Sequence, residues 1–487
     1  LHAHPAPGVI FHRQSLVRPR KNIAKRANQA IFPVLFRFAP TENAPTTPMK
    51  RTFVPVKAAL FVLALLAFGC ATPSAPAANT FDVKAYGATG DGTTKDTAAV
   101  QKAFDACAAA GGGVVTVSPG NYLIGSVVMG ANTTLQLTDG ATLTGSPDVA
   151  DYPLEQGRYE GEFVPVHRAL ISADHADHIA ILGPGSLVGP PLAVANLRKP
   201  RGPVMIELTE CNGVDLENFT EHYQRLWSIH PLFCTNVVAR NLTIRTTLAN
   251  GDGIDIDSSQ NVLIDHCDIN TGDDAISIKS GRGLSAVKLD RPTQNVVIKD
   301  SSLISSIFAG IGIGTEMSGG LRNLTISNCT IGGRQNAIFI KSRDGRGGYI
   351  ENVVGENLII APSPTFLGID LMKKGIQAVD PVTGTPDKWA RVHNISFTNV
   401  TVNNVRQLVS GPNISSERPW DGLVLSNITG TCGRGITLAN VVNAQFSGIN
   451  VTGYNGPLLN LTNVTGTGLD EPPANPPANP PATSAGP

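Results

Sequence analysis

An asparagine followed by two or three β-forming residues, a polar turn and another short β-run recurs through the middle of the chain, and few architectures tolerate such a repeat. Clear copies are Asn236-Val-Val-Ala-Arg-Asn-Leu-Thr-Ile, Asn261-Val-Leu-Ile-Asp-His-Cys-Asp-Ile, Asn295-Val-Val-Ile-Lys-Asp-Ser-Ser-Leu and Asn323-Leu-Thr-Ile-Ser-Asn-Cys-Thr-Ile. Successive asparagines, Asn236, Asn261, Asn295, Asn323, Asn352 and Asn394, are separated by 25, 34, 28, 29 and 42 residues. A minimum near one solenoid rung, lengthened by insertions, predicts a single-stranded parallel β-helix, an all-β solenoid, between residues 79 and 469. Sandwiches and propellers require hairpin spacing instead.

The ends of the chain read differently. Met49-Lys50-Arg51 begins a basic segment, Ala58 to Phe68 is apolar, and small residues follow through Ala77, so 49–78 is expected to be an export signal. Residues 1–48 read as an extension upstream of the true start. Leu66-Ala67-Phe68-Gly69-Cys70 resembles a lipoprotein cleavage box, leaving a lipid anchor on Cys70 and ordinary cleavage near Ala77 as two open readings. Both export the protein, to the periplasm, the outer membrane or the medium. The repeated Pro-Pro-Ala-Asn of 470–487 predicts an extended, disordered tail. Lys plus Arg and Asp plus Glu both number 38, so no global field favours nucleic acid or an anionic membrane. The chain is expected to act as a monomer.

One helix is expected near the start, with Asp96 as N-cap, Ala99, Val100, Ala103, Phe104 and Cys107 as its apolar stripe, and Gly111-Gly112-Gly113 as its stop. It would cover the open end of the solenoid. Cys267 and Cys329 each follow a repeat asparagine by six residues and are read as small core residues rather than disulfide partners. The Asn-x-Ser/Thr sequons at Asn241, Asn323, Asn328 and Asn394 are read as rungs of an asparagine ladder. No cofactor is expected, and no Cys or His spacing resembles a zinc site.

Chemistry concentrates in two acidic segments, Asn250-Gly251-Asp252-Gly253-Ile254-Asp255-Ile256-Asp257 and Thr271-Gly272-Asp273-Asp274-Ala275-Ile276-Ser277-Ile278-Lys279. Aligning Ile254 with Ile276 and Ile256 with Ile278 gives an offset of 276 − 254 = 22 residues, about one rung. Asp252 then lies beside Asp274, with Asp273 one position away and the carboxylates ~5 Å apart. Carried further, the alignment places Phe308 over Asp273, Phe339 in the outward column of Asp255 and Ser277, and Lys341 in that of Asp257 and Lys279. Repulsion within such a cluster holds a proton near neutral pH, setting an acid beside a base. The competing reading is an aspartate ladder that caps turns or binds Ca²⁺, and Asp255, Asp257, Asp265 and Asp268 fit it as surface or turn residues.

The run from Trp227-Ser-Ile-His-Pro through both acidic segments to Ile313-Gly-Thr-Glu-Met-Ser-Gly-Gly resembles the polygalacturonase family, glycoside hydrolase family 28. Phe81-Asp-Val-Lys-Ala-Tyr-Gly extends the likeness toward the N-terminus. The resemblance implies a right-handed parallel β-helix that cleaves α-galacturonosyl bonds of pectic polysaccharide with inversion. It implies Asp273 as general acid, Asp252 and Asp274 as the pair that positions and deprotonates water, and Lys341 as a ligand of a galacturonate carboxylate. Glu316 belongs to a stretch shared with bacterial exo-acting members. Lys279, Phe308 and Phe339 complete the expected groove.

Two positions depart from the pattern. Ile307-Phe308-Ala309 stands where the family has Gly-His-Gly, and Phe339-Ile340-Lys341 where it has Arg-x-Lys. The lost arginine removes a bidentate carboxylate clamp. Weak activity on plain polygalacturonate follows, with better activity where a neutral sugar adjoins the cleaved bond. His230 is read as structural or as groove wall. Alternative functions are a Ca²⁺-dependent pectate lyase with Arg282 or Arg346 as base, and a binding solenoid with little catalysis.

Overall fold

The computed structural model describes residues 79–191, 194, 200–372 and 388–470, so the export segment with Cys70 and the proline-rich tail lie outside the described residues. The strands form one continuous parallel sheet wound as a right-handed β-helix. One face is built by Ile206–Thr209, Ile229–Leu232, Ile254–Asp257, Ile276–Lys279, Ala309–Ile313, Asn336–Lys341 and Thr365–Asp370, each paired in parallel with the next.

Register on this face follows the expected alignment. Ile254 pairs with Ile276, Ile276 with Ile311, and Ile311 with Ile338, while Ile256, Ile278, Ile313 and Ile340 form a second column. All eight are at most 2% exposed. Because side chains alternate across a strand, a slip by one residue would turn both columns out to solvent. Burial of each isoleucine contributes ~1.5–3 kcal/mol, so the register is strongly held.

The asparagines sit where the chain turns between faces, and each takes a left-handed backbone, with φ of 58° at Asn236, 56° at Asn261 and 59° at Asn323. Asparagine tolerates this region better than other residues with a β-carbon. Each side-chain amide also donates to the rung before it: Asn261 to Asn236 at 3.0 Å, Asn295 to Asn261 at 3.0 Å, Asn323 to Asn295 at 2.9 Å and Asn352 to Asn323 at 3.1 Å. A second ladder joins Asn328, Asn357, Asn399 and Asn427.

The helix Thr97–Ala109 buries Val100, Ala103, Phe104 and Cys107. Asp96 occupies its N-cap position but does not cap it. Its carboxylate instead accepts from the backbone N–H groups of Thr89 and Gly90, which ties the preceding loop down. The six described cysteines are buried and free, and Cys267 and Cys329 point into the core two rungs apart. The long spacing after Asn261 marks an inserted loop, whose helical fold the sequence did not show, and a second insertion, a hairpin, was not anticipated. The gap after Asn261 holds a short helix, Gly283–Leu289, and the strands Leu154–Tyr159 and Glu162–His167 form an antiparallel hairpin outside the solenoid sheet.

Replacing Asn323 by Ala is expected to lower stability by about 1–2 kcal/mol, through lost ladder bonds and a strained left-handed residue. Asn323→Gly, which tolerates the same φ, should lose less. Thermal unfolding of both variants checks this, and an unchanged midpoint for Asn323→Ala would contradict it.

Candidate active site

Two turns on neighbouring rungs deliver the carboxylates. Asp252 precedes the Ile254–Asp257 strand, and Asp273 and Asp274 precede Ile276–Lys279, with Gly253 N–H donating to the Asp274 carbonyl at 3.0 Å. One side-chain oxygen from each of Asp252, Asp273 and Asp274 lies within 4.8 Å of the other two, and all three residues are buried. The expected juxtaposition is therefore present.

Each carboxylate is held differently. Asp273 accepts from the Asn250 N–H at 2.7 Å and from the Asp274 N–H at 2.9 Å. Asp274 accepts from the Ala309 N–H at 3.1 Å and pairs with the Lys341 ammonium at 2.8 Å. That reach is open because Gly312 occupies the position between them, where a β-carbon would stand 2.0 Å from the Asp274 Oδ2. Asp252 faces Lys279 at 3.8 Å through one oxygen, while its buried Oδ1 accepts no protein hydrogen bond.

Burial and the neighbouring Asp274 raise the Asp273 carboxyl to about 6. Burial, Asp255 and Asp273 push Asp252 well above the usual carboxylate range. The cluster thus retains a shared proton at mildly acidic pH. Burial works against the Lys341 charge, but Asp274 holds the ammonium above its usual value.

Asp255 and Asp257 are not surface or turn residues. They are at most 1% exposed and point outward from the groove face beneath the inserted hairpin. Asp255 pairs with Lys279, whose ammonium also lies 3.6 Å above the Trp227 ring centroid. Asp257 pairs with Arg158 of the hairpin at 3.4 Å and with His230, which also meets Glu207. Asp268 is exposed, as expected, whereas Asp265 is only 6% exposed and is held by Arg240, His266 and Lys299. His230 is fully buried, edge-on to Trp227 and between Glu207 and Asp257.

The hairpin packs over the groove face. Tyr159 stacks on Trp227 and meets Arg201, which donates to Asn250 at 2.8 Å. At the tip, Glu162 pairs with Arg282, and Gly161 fits against Gly281 and Glu316 so closely that a β-carbon would come within 3.1 Å of both. The hairpin therefore lies over several rungs, from Trp227 past Asp257 and Gly281 to Glu316. Sequence reasoning missed Arg158 and Tyr159, because nothing in the repeat announces an insertion that folds back over later rungs.

Neither arginine considered as a lyase base is free for that role. Arg346 is fully buried, donates to Thr315 and pairs with Glu316 at 3.5 Å, and Arg282 is engaged with Glu162. Glu316 is itself buried. Burial would raise its carboxyl, but Arg346, Lys279 and Lys341 bring it down to about 2. Phe339 is 9% exposed, with the Lys341 ammonium 5.5 Å from its ring centroid, and Phe308 is half-buried.

A parallel β-helix carrying three clustered carboxylates in a lysine- and aromatic-lined groove defines a class of polysaccharide-processing enzyme. The model of "Glycosyl hydrolases family 28" matches residues 170–467, more than half of the 487. The chain belongs to that family. It is 27% identical over 361 residues to a probable polygalacturonase of Vitis vinifera, covering 71% of this chain and 72% of the relative. It is 25% identical to an exo-poly-alpha-D-galacturonosidase of Dickeya chrysanthemi, covering 57% and 54%. Among solved structures, the family 28 exopolygalacturonase of Yersinia enterocolitica superposes with a TM-score of 0.69 at 20% identity, covering 82% of this chain and 79% of that one. The exopolygalacturonase of Thermotoga maritima gives 0.64 at 23%, covering 76% and 92%.

Removing Arg346 leaves Glu316 buried without its guanidinium. Arg346→Met is expected to destabilise the protein by about 3–5 kcal/mol, and the double variant Arg346→Met/Glu316→Met to regain much of that loss. Denaturant unfolding of the two variants tests the pairing, which equal stability of single and double would refute.

Proposed function

We propose that the protein is a polygalacturonase-like glycoside hydrolase that cleaves α-galacturonosyl-type bonds of pectic polysaccharide by inversion. The observation that carries this reading is the cluster of Asp252, Asp273 and Asp274 within 4.8 Å, with Asp274 paired to Lys341. Asp273, holding a proton up to a pH of about 6, donates to the leaving glycosidic oxygen as that bond breaks. Asp252 and Asp274, in the neighbouring column, hold and deprotonate the water that attacks the anomeric carbon. Asp274, paired with the Lys341 ammonium, takes that water's proton, and the unbonded Oδ1 of Asp252, a carboxyl pushed upward by burial, orients the water. The water's oxygen ends on the new reducing end and its proton on the carboxylate pair.

Recognition is divided by chemistry. Lys341 and Lys279 offer positive charge to a uronate, but both are already engaged with aspartates. Phe339, where the family has arginine, and Phe308, where it has histidine, offer apolar faces on which a sugar ring stacks. A pectic polymer with a neutral sugar beside the cleaved bond fits that pair better than a run of galacturonates. The hairpin, which covers Asp257 and reaches Gly281 and Glu316 beside the aspartates, narrows the groove and favours cleavage near a chain end over internal cleavage. The family setting and the export-type N-terminus support an extracytoplasmic enzyme of one β-helix domain over residues 79–469.

Three outcomes are expected. Asp273→Asn should lose roughly 10²–10⁴-fold in kcat while retaining substrate binding. The acid limb of the mechanism requires protonated Asp273, so kcat/KM should fall as pH rises through about 6, and a rate still rising there would contradict its role. In reducing-sugar assays the wild type should cleave rhamnogalacturonan or substituted pectin faster than polygalacturonate, and Phe339→Arg should shift that preference toward polygalacturonate. Faster wild-type cleavage of polygalacturonate would overturn the assignment of the phenylalanines.

A further inference from the structure

Beyond the aspartates, toward the C-terminal rungs, the turns that lead into the groove face carry exposed arginines. Arg334 precedes the Asn336–Lys341 strand, Arg406 the Gln407–Asn413 strand, and Arg434 the strand beginning at Ile436. These strands pair through Thr365–Asp370, so Arg334 and Arg406 stand two rungs apart and Arg406 and Arg434 one, a row with steps of ~10 and ~5 Å.

The row lines two adjoining clefts of about 540 and 460 Å³, which share Pro364 and Arg406. Neither cleft is lined by an acidic side chain. Among the described residues, none of the three guanidinium groups has a carboxylate partner, whereas the charged groups around the aspartates are paired. The floor is small and flat, with Gly332, Gly333, Ala361 and Pro364. It adjoins the turn that carries Phe308: a β-carbon on Gly333 would stand 2.7 Å from the Phe308 carbonyl, and the Gln335 N–H donates to that carbonyl at 2.9 Å.

We propose that Arg334, Arg406 and Arg434 form a subsite row for the uronate carboxylates of a pectic chain, distal to the bond being cleaved. The inference rests on the reading of the protein as a pectic glycoside hydrolase and adds where its acidic sugars bind. Guanidinium groups match carboxylates bidentately, and unpaired ones in an open cleft give up no internal ion pair to do so. A linear row at rung spacing fits an extended polymer better than a small anion. Neutral-sugar stacking at Phe308 and Phe339 and carboxylate binding at the arginines then select one kind of substrate, a mixed chain with galacturonates on the far side of the cleavage point.

Calorimetric titration tests the row without requiring turnover. In an Asp273→Asn background, Arg334→Gln, Arg406→Gln and Arg434→Gln combined should weaken binding of polygalacturonate about tenfold or more and flatten its salt dependence. Binding of fully methyl-esterified polymer should be little changed. Undiminished affinity for polygalacturonate would overturn the proposal, as would equal losses on both polymers, which would point to a distorted cleft. Separately, a wild type that binds polygalacturonate through the arginines but hydrolyses no pectic polymer would sink the hydrolase reading and leave the row standing.

Discussion

Everything in the site depends on the register between neighbouring rungs. Two isoleucine columns fix it, because no slip by one residue leaves them inside. Once Ile254 lies against Ile276, Asp252 must lie against Asp274, and two carboxylates that repel each other are forced together by hydrophobic burial. The solenoid core thus supplies the work that keeps a proton on the cluster. Gly312 then leaves the space through which Lys341 reaches Asp274.

Around this cluster the protein places charges in alternating signs under cover. Lys279 lies between Asp252 and Asp255 and against Trp227, Arg158 reaches down from the hairpin to Asp257, and Arg346 anchors Glu316. Such pairs contribute little net stability, since desolvation offsets their attraction, but each is expensive to break. Their consequence is a groove face whose charges beneath the hairpin are buried and paired. Toward the C-terminal rungs the arginines are exposed and unpaired, so the two halves of the groove suit different tasks.

The parts legible in sequence were those set by local periodicity. The repeat asparagines announced their left-handed turns, the offset between Ile254 and Ile276 announced the aspartate cluster, and the Val100–Phe104–Cys107 stripe announced the helix at the end of the solenoid. What escaped depended on contacts between distant segments. Asp255 and Asp257 alternate with buried isoleucines and so read as outward and wet. Only the hairpin, about 100 residues earlier as Arg158 meets Ser258, makes them buried. Arg346 looked like a loop base for the same reason, since the Glu316 that holds it lies on another rung.

The short carboxylate separation also sets the sharpest question. Inverting glycosidases with a simple acid and base usually hold the pair ~6.5–9.5 Å apart, leaving room for water between them, and closer pairs usually retain configuration. Here one oxygen of each carboxylate lies within 4.8 Å of the others, and inversion requires that the water held by Asp252 and Asp274 reach the anomeric carbon on the face opposite the leaving oxygen that Asp273 protonates. Proton NMR of the first product released from an α-linked pectic oligosaccharide decides the matter. The three-aspartate account predicts that the β-anomer appears first and then mutarotates; initial release of the α-anomer would contradict it.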